Sequence, residues 1–196
     1  MKLIVFGATG GTGRAVISEA IAANHTVTAF ARDAGHVTVA EGLNVVEGDA
    51  MSVSDVASAL AGQQAVVISL GNSQNAFAMT FGALRTTPAD ICEVGTRNIL
   101  QELPPDSNIP VIVVGAFGTG DTRIKLPLMF KIFYRLVLRE QMADKEKQVA
   151  VRKASSARYT LVQPLALTDK PAARSWTATL DGTYGKSEVS RSDLAS

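Results

Sequence analysis

Glycines crowd the first turn of this chain. In the stretch FGATGGTGR, Gly7, Gly10 and Gly13 stand three residues apart, after an apolar run and before a helical pattern. That context is typical of a dinucleotide-binding turn, where glycines allow a tight bend, close approach of backbone to a pyrophosphate, and close helix packing. The helix N-terminus then offers N–H groups and a positive dipole end to phosphate. The residues of this turn expected to form the cofactor site are Gly7, Thr9, Gly10, Gly11, Thr12 and Gly13.

Charged residues stand at the end of the second apolar run, FARD. A nucleotide's adenosine ribose lies at this strand end in dinucleotide-binding sheets. Arg32 is expected to meet the 2′-phosphate of NADP(H), with Arg14 assisting. Asp33 keeps NAD(H) open as the alternative, because its carboxylate could accept from a ribose 2′-hydroxyl. A solvated Arg32–Asp33 pair with no ligand is the third interpretation.

The next two strand ends add further contacts. In EGDA, the Asp49 carboxylate or the backbone at Ala50 is placed to bond an adenine edge. In SLGN, Leu70 is followed by Gly71, whose missing side chain allows a cofactor to approach closely. Four successive strand ends therefore predict a site for NADP(H), with NAD(H) as the alternative.

Alternating strand and helix patterns would position these residues. Short β-rich runs at 2–6, 26–30, 44–48, 65–70, 110–115 and 159–163 alternate with helical patterns at 12–23, 52–61, 91–102 and 139–155. This alternation predicts an α/β fold with a doubly wound parallel sheet, since a parallel neighbour needs a crossover helix. We expect one domain over residues 1–196. Insertions at 71–90 and 115–138 follow the fourth and fifth strands and are expected to shape a substrate pocket.

Composition bounds the partners and the setting. Hydrophobic residues make up 46% of the 196 residues and the net charge is +1, so we expect a globular chain without nucleic-acid or membrane partners. Its one cysteine, Cys92, predicts a buried side chain and a reducing, cytoplasmic location. Residues 126–138 are interrupted by Lys131 and Arg135 and are predicted to form an amphipathic helix. No His, Asp or Glu spacing suggests a metal site.

The segments FGATGGTGR, FARD, VVEGDA, VISLGN, YTLVQP and TATLDG together resemble the atypical short-chain dehydrogenase/reductases of the flavin reductase kind. The resemblance implies a single Rossmann domain that uses NADPH to reduce flat redox molecules such as flavins, quinones or linear tetrapyrroles. It implies a monomer, with a dimer as the alternative, and a final helix after SRSDLA. The cofactor contacts it implies are Thr9, Thr12, Arg32, Asp49, Leu70 and Gly71.

The sequence departs from that family at two positions. Gly115 stands where the family has a serine near the end of the fifth strand, and Leu165 where it has a histidine after the sixth. The Tyr and Lys pair of the main dehydrogenase family is also absent from the sequence. A non-catalytic sensor of NADP(H), of the NmrA-like kind, is therefore the alternative function.

Candidates for chemistry are few. The resemblance implies a lysine on the helix before the sixth strand, where Lys145 and Lys147 are two residues apart and cannot both face the cleft. Lys147 is favoured because it shares a helical stripe with three alanines. The residues expected to line a pocket for a planar substrate are Phe117, Leu165 and Trp176.

Overall fold

The computed structural model describes residues 1–72, 84–104, 107–155 and 157–196. Its centre is a six-stranded parallel sheet in the order β3-β2-β1-β4-β5-β6. The strands are β1 (Lys2–Phe6), β2 (Thr26–Ala31), β3 (Leu43–Glu47), β4 (Ala65–Ile68), β5 (Val111–Val114) and β6 (Tyr159–Val162). This is the Rossmann arrangement that the alternating pattern predicted.

Six helices accompany the sheet among the described residues. They are α1 (Gly11–Ala22), α2 (Val53–Leu60), α3 (Ile91–Gln101), α4 (Leu128–Leu136), α5 (Arg139–Lys153) and α6 (Arg191–Ala195). Short 3₁₀ turns occupy Ala34–His36 and Gly120–Lys125, and β7 (Ala166–Thr168) pairs in parallel with β8 (Glu188–Ser190). The predicted strands and helices end within two residues of the observed ones, whereas β7 and β8 were not predicted.

The core lies on both faces of the sheet. In β1, Ile4 packs with the cluster that includes Val56 and Ile99 of α2 and α3, and its neighbour Val5 packs with Ile17 of α1. Successive residues of a strand point to opposite faces, so a strand covered by helices on both sides must be apolar throughout. This explains why β1, after Lys2, and β4 are continuous apolar runs. Because the two strands are parallel, their carboxyl ends lie at the same edge of the sheet.

The two insertions leave the sheet at that carboxyl edge. Of the first, only residues 71–72 and 84–90 are described, and the rest of the expected pocket segment lies outside the described residues. The second contains a 3₁₀ turn and then α4, which confirms a helix within 126–138. Among the described residues, no helix has both the length and the apolar character to cross a bilayer.

Candidate functional site

Two glycines fix the shape of the first turn. Gly7 has φ +83°, and a Cβ built on it would lie closer than 3.0 Å to the Ser69 carbonyl oxygen at the end of β4. A Cβ on Gly13 would lie closer than 3.0 Å to the Gly7 carbonyl oxygen. Both glycines are therefore required by packing of the turn against itself and its neighbour, whatever binds there.

The other two glycines expose the start of α1. Gly10 is the N-cap, where the described residues provide no side-chain cap and α1 has no acidic residue in its first turn. A Cβ on Gly10 would meet only the Gly7 oxygen, at 3.3 Å. A Cβ on Gly11 would lie 2.8 Å from Nε of Arg191, so this glycine makes room for a guanidinium. Uncapped N–H groups beside a cation fit a phosphate.

A cavity of about 330 Å³ lies along the carboxyl ends of the central strands. It is bounded by the glycine turn and by the ends of β2, β4 and β5. The predicted residues that line it are Gly7, Thr9, Gly10, Gly11, Thr12, Arg32, Asp49, Ala50, Leu70 and Gly71.

Two residues predicted to bind the cofactor lie elsewhere. Gly13 is buried behind the turn, where it allows α1 to pack closely on β1. Arg14 is exposed and does not line the cavity, because it lies beyond the residues whose N–H groups open the helix. The structure therefore does not bring Arg14 into the cavity with Arg32.

Arg32 lies at the rim of the cavity with its guanidinium held by residues near the end of the first insertion. Its Nη1 donates to the Thr86 carbonyl oxygen at 2.8 Å, and its Nη2 donates to the Thr87 hydroxyl at 3.2 Å. Asp33 turns away, because its carboxylate accepts from Gly35 N–H at 2.8 Å and pairs with His36 at 3.0 Å. The end of β2 thus presents a cation to the cavity.

The turn after β3 is fixed by carboxylates. Asp49 accepts from the N–H of Met51 at 3.0 Å, and its own N–H donates to Asp55 at 3.0 Å. That backbone hydrogen bond is the main reason why the pKa of Asp55 lies below its ordinary value. The Asp49 backbone and carboxylate are consequently held at the cavity wall, where the adenine contact was expected.

The structure corrects the choice of lysine. Lys145 lines the cavity, whereas Lys147 is exposed and pairs with Glu93 at 3.2 Å. Nζ of Lys145 donates to the carbonyl oxygens of Leu70 at 2.8 Å and Val114 at 2.7 Å, which lie just beyond β4 and at the end of β5. The lysine at the junction of these two strands is therefore Lys145.

Buried polar side chains orient the helix that carries Lys145. Asp144 is 4% exposed and accepts from the N–H groups of Cys92 and Glu93, both at 2.9 Å, at the start of α3. Gln148 is fully buried, donates to the Thr96 hydroxyl at 2.8 Å, and accepts from Lys145 at 3.1 Å. These bonds join α5 to α3 and leave little freedom for the Lys145 side chain.

Arg191 is a third cation at the cavity, and the sequence did not suggest it. It begins α6, lies against Gly11 and pairs with Asp169 at 2.7 Å. Ser190 caps this helix by accepting from the N–H of Asp193 at 3.0 Å. The S-x-x-D spacing of a helix start was the available signal, but it does not reveal that the helix reaches the first turn.

The residues predicted to line a substrate pocket do not reach this cavity. Phe117 is buried and packs edge-on against Tyr184, with ring centroids 5.2 Å apart. Trp176 is 54% exposed and Leu165 is half-buried outside the lining. Leu167 and Gly115 line the cavity instead.

Cys92 is unsuited to nucleophilic chemistry. It is 2% exposed, and its thiol donates to the Leu70 carbonyl oxygen at 3.3 Å. Burial, more than any neighbouring charge, raises its pKa to about 12, so the thiolate is scarce at neutral pH. The described residues contain no cluster of three His, Cys, Asp or Glu side chains able to hold a metal ion.

Comparison with known proteins agrees with this geometry. A family model described as NAD(P)H-binding matches residues 7–196. ChuY, an anaerobillin reductase from Escherichia coli O157:H7, has a similar structure at 24% identity, with a TM-score of 0.73 over 100% of this chain and 87% of that one.

Two further solved structures share the fold. A short-chain dehydrogenase/reductase from Veillonella parvula in complex with NADP is 15% identical, with a TM-score of 0.76 over 99% of this chain and 83% of that one. A putative NAD-dependent epimerase/dehydratase from Bacillus halodurans is 22% identical, with a TM-score of 0.71 over 100% and 84%. At these identities the structures establish the fold alone.

Proposed function

We propose that this chain, which belongs to the NAD(P)H-binding family whose model matches residues 7–196, is an NADPH-dependent reductase of a flat redox acceptor, namely a flavin, a quinone or a linear tetrapyrrole. The observation that carries this proposal is the lysine cation fixed at the ends of β4 and β5, inside the cavity that begins at the glycine turn. The acceptor class is supported by ChuY, the structural relative that is an anaerobillin reductase.

Residues along the cavity match the successive parts of a dinucleotide. The N-terminus of α1 and Arg191 offer hydrogen-bond donors to a pyrophosphate, and Asp49 lies where an adenine is expected. Arg32 lines the cavity whereas Asp33 does not, which favours a 2′-phosphate over a free 2′-hydroxyl. These contacts support NADPH as the preferred nucleotide.

Replacing Arg32 with alanine tests that preference. A charge-assisted hydrogen bond contributes about 1.5 to 3 kcal/mol, so the dissociation constant for NADPH should rise roughly 10- to 100-fold while that for NADH changes little. Fluorescence titration of both nucleotides measures the two constants. Arg158→Ala, at the opposite edge of the sheet, is the control and should change neither. Equal losses for NADPH and NADH in Arg32→Ala would contradict the role of Arg32.

Lys145 is the residue placed to assist the chemistry. A bound reduced nicotinamide supplies a hydride, two electrons with one proton. The ammonium of Lys145 would stabilise the negative charge that develops on the acceptor. Its N–H bonded to Gln148 would turn to the acceptor and transfer the proton that completes the two-electron reduction. The carbonyl oxygens of Leu70 and Val114 hold Nζ in position, and solvent restores its proton. Flavins, quinones and bilins suit this site because they accept a hydride readily without a Tyr and Lys pair.

Steady-state assays test the function directly. Oxidation of NADPH and NADH is followed at their absorbance band with FMN, riboflavin, a small quinone and biliverdin offered separately. We expect turnover with at least one acceptor and a preference for NADPH. Nucleotide binding without reduction of any of these acceptors would contradict the proposal.

A sensor of NADP(H) is the second candidate, and one feature favours it. Gly115 lines the cavity where the related reductases have a serine, and a Cβ there would lie 2.9 Å from a methyl group of Leu161. A side chain at Gly115 would therefore require the Leu161 methyl group to move. A protein that binds NADPH tightly yet leaves every acceptor oxidised would be assigned to this class.

A further inference from the structure

An apolar surface faces outward on α4 and the turn before it. We call it the α4 surface. Its large side chains are between 46% and 82% exposed, although leucine, isoleucine, methionine and phenylalanine are usually buried. The residues are Ile124, Leu128, Met129, Ile132, Phe133 and Leu136.

The opposite side of α4 already packs on the protein. Phe130 and Tyr134 are half-buried, with ring centroids 6.1 Å apart, and Tyr134 approaches Gly118 beneath the helix. Leu128, Ile132 and Leu136 lie four residues apart on the outward side. The exposed face is therefore a second apolar face of α4, because the inner face already packs on the protein.

Positive charge is concentrated around this face. From residue 123 to residue 139 the sequence has five basic and no acidic side chains, although the whole chain has a net charge of only +1. All five are exposed, and in the described part of the chain none of them forms a salt bridge. They are Arg123, Lys125, Lys131, Arg135 and Arg139.

We propose that the α4 surface docks this protein on the face of an anionic lipid bilayer. Apolar side chains of an in-plane helix enter the boundary between headgroups and acyl chains, while Lys and Arg at its border contact lipid phosphates. A second copy of this chain is a poorer occupant, because a symmetric contact would bring like charges from both copies together. The charge pattern is complementary to a negatively charged surface.

This inference revises the expectation of no membrane partner. That expectation rested on the net charge, which averages a basic segment with an acidic remainder. The segment containing α4 follows β5, whose residue Val114 lines the cavity. Tyr134 of α4 approaches Gly118, just beyond β5, so docking through α4 would place the bilayer near this end of the sheet.

Vesicle co-sedimentation of the full chain tests the proposal. We expect the protein to pellet with vesicles of mixed phosphatidylglycerol and phosphatidylcholine and to stay in the supernatant with phosphatidylcholine alone. Binding should weaken in about 1 M salt, where the Debye length is about 3 Å. The double variants Met129→Ser/Phe133→Ser and Lys131→Glu/Arg135→Glu should each reduce binding at least about tenfold.

Matched controls separate this surface from general stickiness. Val39→Ser/Val53→Ser removes exposed apolar side chains elsewhere, and Lys2→Glu/Arg158→Glu reverses two distant charges. Both should bind like the wild type, and circular dichroism confirms that every variant is folded. Absence of binding to the anionic vesicles, or equal binding of all variants, overturns the proposal. A dimer in analytical ultracentrifugation that Met129→Ser/Phe133→Ser abolishes would assign the surface to a second copy instead.

Discussion

Replacing Lys145 with methionine is expected to lower NADPH-dependent turnover by roughly 10²-fold or more, the usual contribution of a positioned proton donor. The substitution keeps an unbranched side chain in the cavity but removes the charge that lies between the Leu70 and Val114 carbonyl oxygens. Nucleotide affinity should change much less than turnover. Steady-state assays for turnover and fluorescence titration for NADPH measure the two quantities on the same preparation.

Lys147→Met is the matched control for this experiment. It removes the same charge two residues further along α5, where the side chain is exposed and pairs with Glu93. Turnover should be close to that of the wild type. Similar losses of turnover in the two variants would show that any positive charge on α5 has the same effect. Lys145 would then have no specific role in the reaction. Thermal unfolding of both variants distinguishes lost chemistry from lost stability.

Replacing Gly13 with alanine is expected to destabilise the fold by about 3 kcal/mol, at the upper end of overpacking costs. The added Cβ would press on the Gly7 carbonyl oxygen, and backbone on both sides leaves no flexible side chain to move. Since domains are stable by about 5 to 15 kcal/mol, the loss should be visible in urea unfolding. An unchanged midpoint would contradict the packing role of Gly13.

Gly10→Ala provides the contrast within the same turn. Its Cβ would have 3.3 Å to the Gly7 oxygen and would otherwise face the cavity. Stability should change by less than about 1 kcal/mol, because little must move. Affinity for NADPH should nevertheless fall at least about tenfold, since the methyl group would occupy the approach to the N–H groups of α1. Unaltered affinity would exclude this turn as the phosphate site.

Local features of the sequence predicted the fold and one wall of the site. Gly7 and Gly13 act within a single turn, and Arg32 and Asp49 follow directly from the ends of their strands. Parallel strands bring such ends to one edge, so spacing along the chain predicts position in space. The positions of these residues could therefore be predicted from the sequence alone.

The sequence favoured Lys147 over Lys145 because the inward face of α5 is largely polar. The alanine stripe beside Lys147 suggested a buried face, yet those alanines are exposed and the buried residues are Asp144, Gln148 and Val149. Asp144 and Gln148 are buried because they satisfy the start of α3 and the Thr96 hydroxyl. Such hydrogen bonding between helices that are far apart in the sequence produces no periodic pattern in a single sequence.

Arg191 was missed for a similar reason, since its contact with Gly11 joins the two ends of the chain. Trp176 and Phe117 show the converse error. Aromatic residues suggested a planar pocket, but Phe117 belongs to packing around Tyr184 and Trp176 lies at the surface. Side-chain type alone did not indicate that neither of them faces the cavity.

The most direct test of the central claim is a single-turnover experiment. Protein saturated with NADPH, or with NADPH carrying deuterium at the transferred position, is mixed with each acceptor while the nicotinamide absorbance is recorded. The proposed function predicts that this absorbance falls as an acceptor is reduced, more slowly with the deuterated nucleotide. If NADPH binds but its absorbance does not change with any of the acceptors, the protein is not a reductase of these acceptors. It would then be assigned as an NADPH-binding protein.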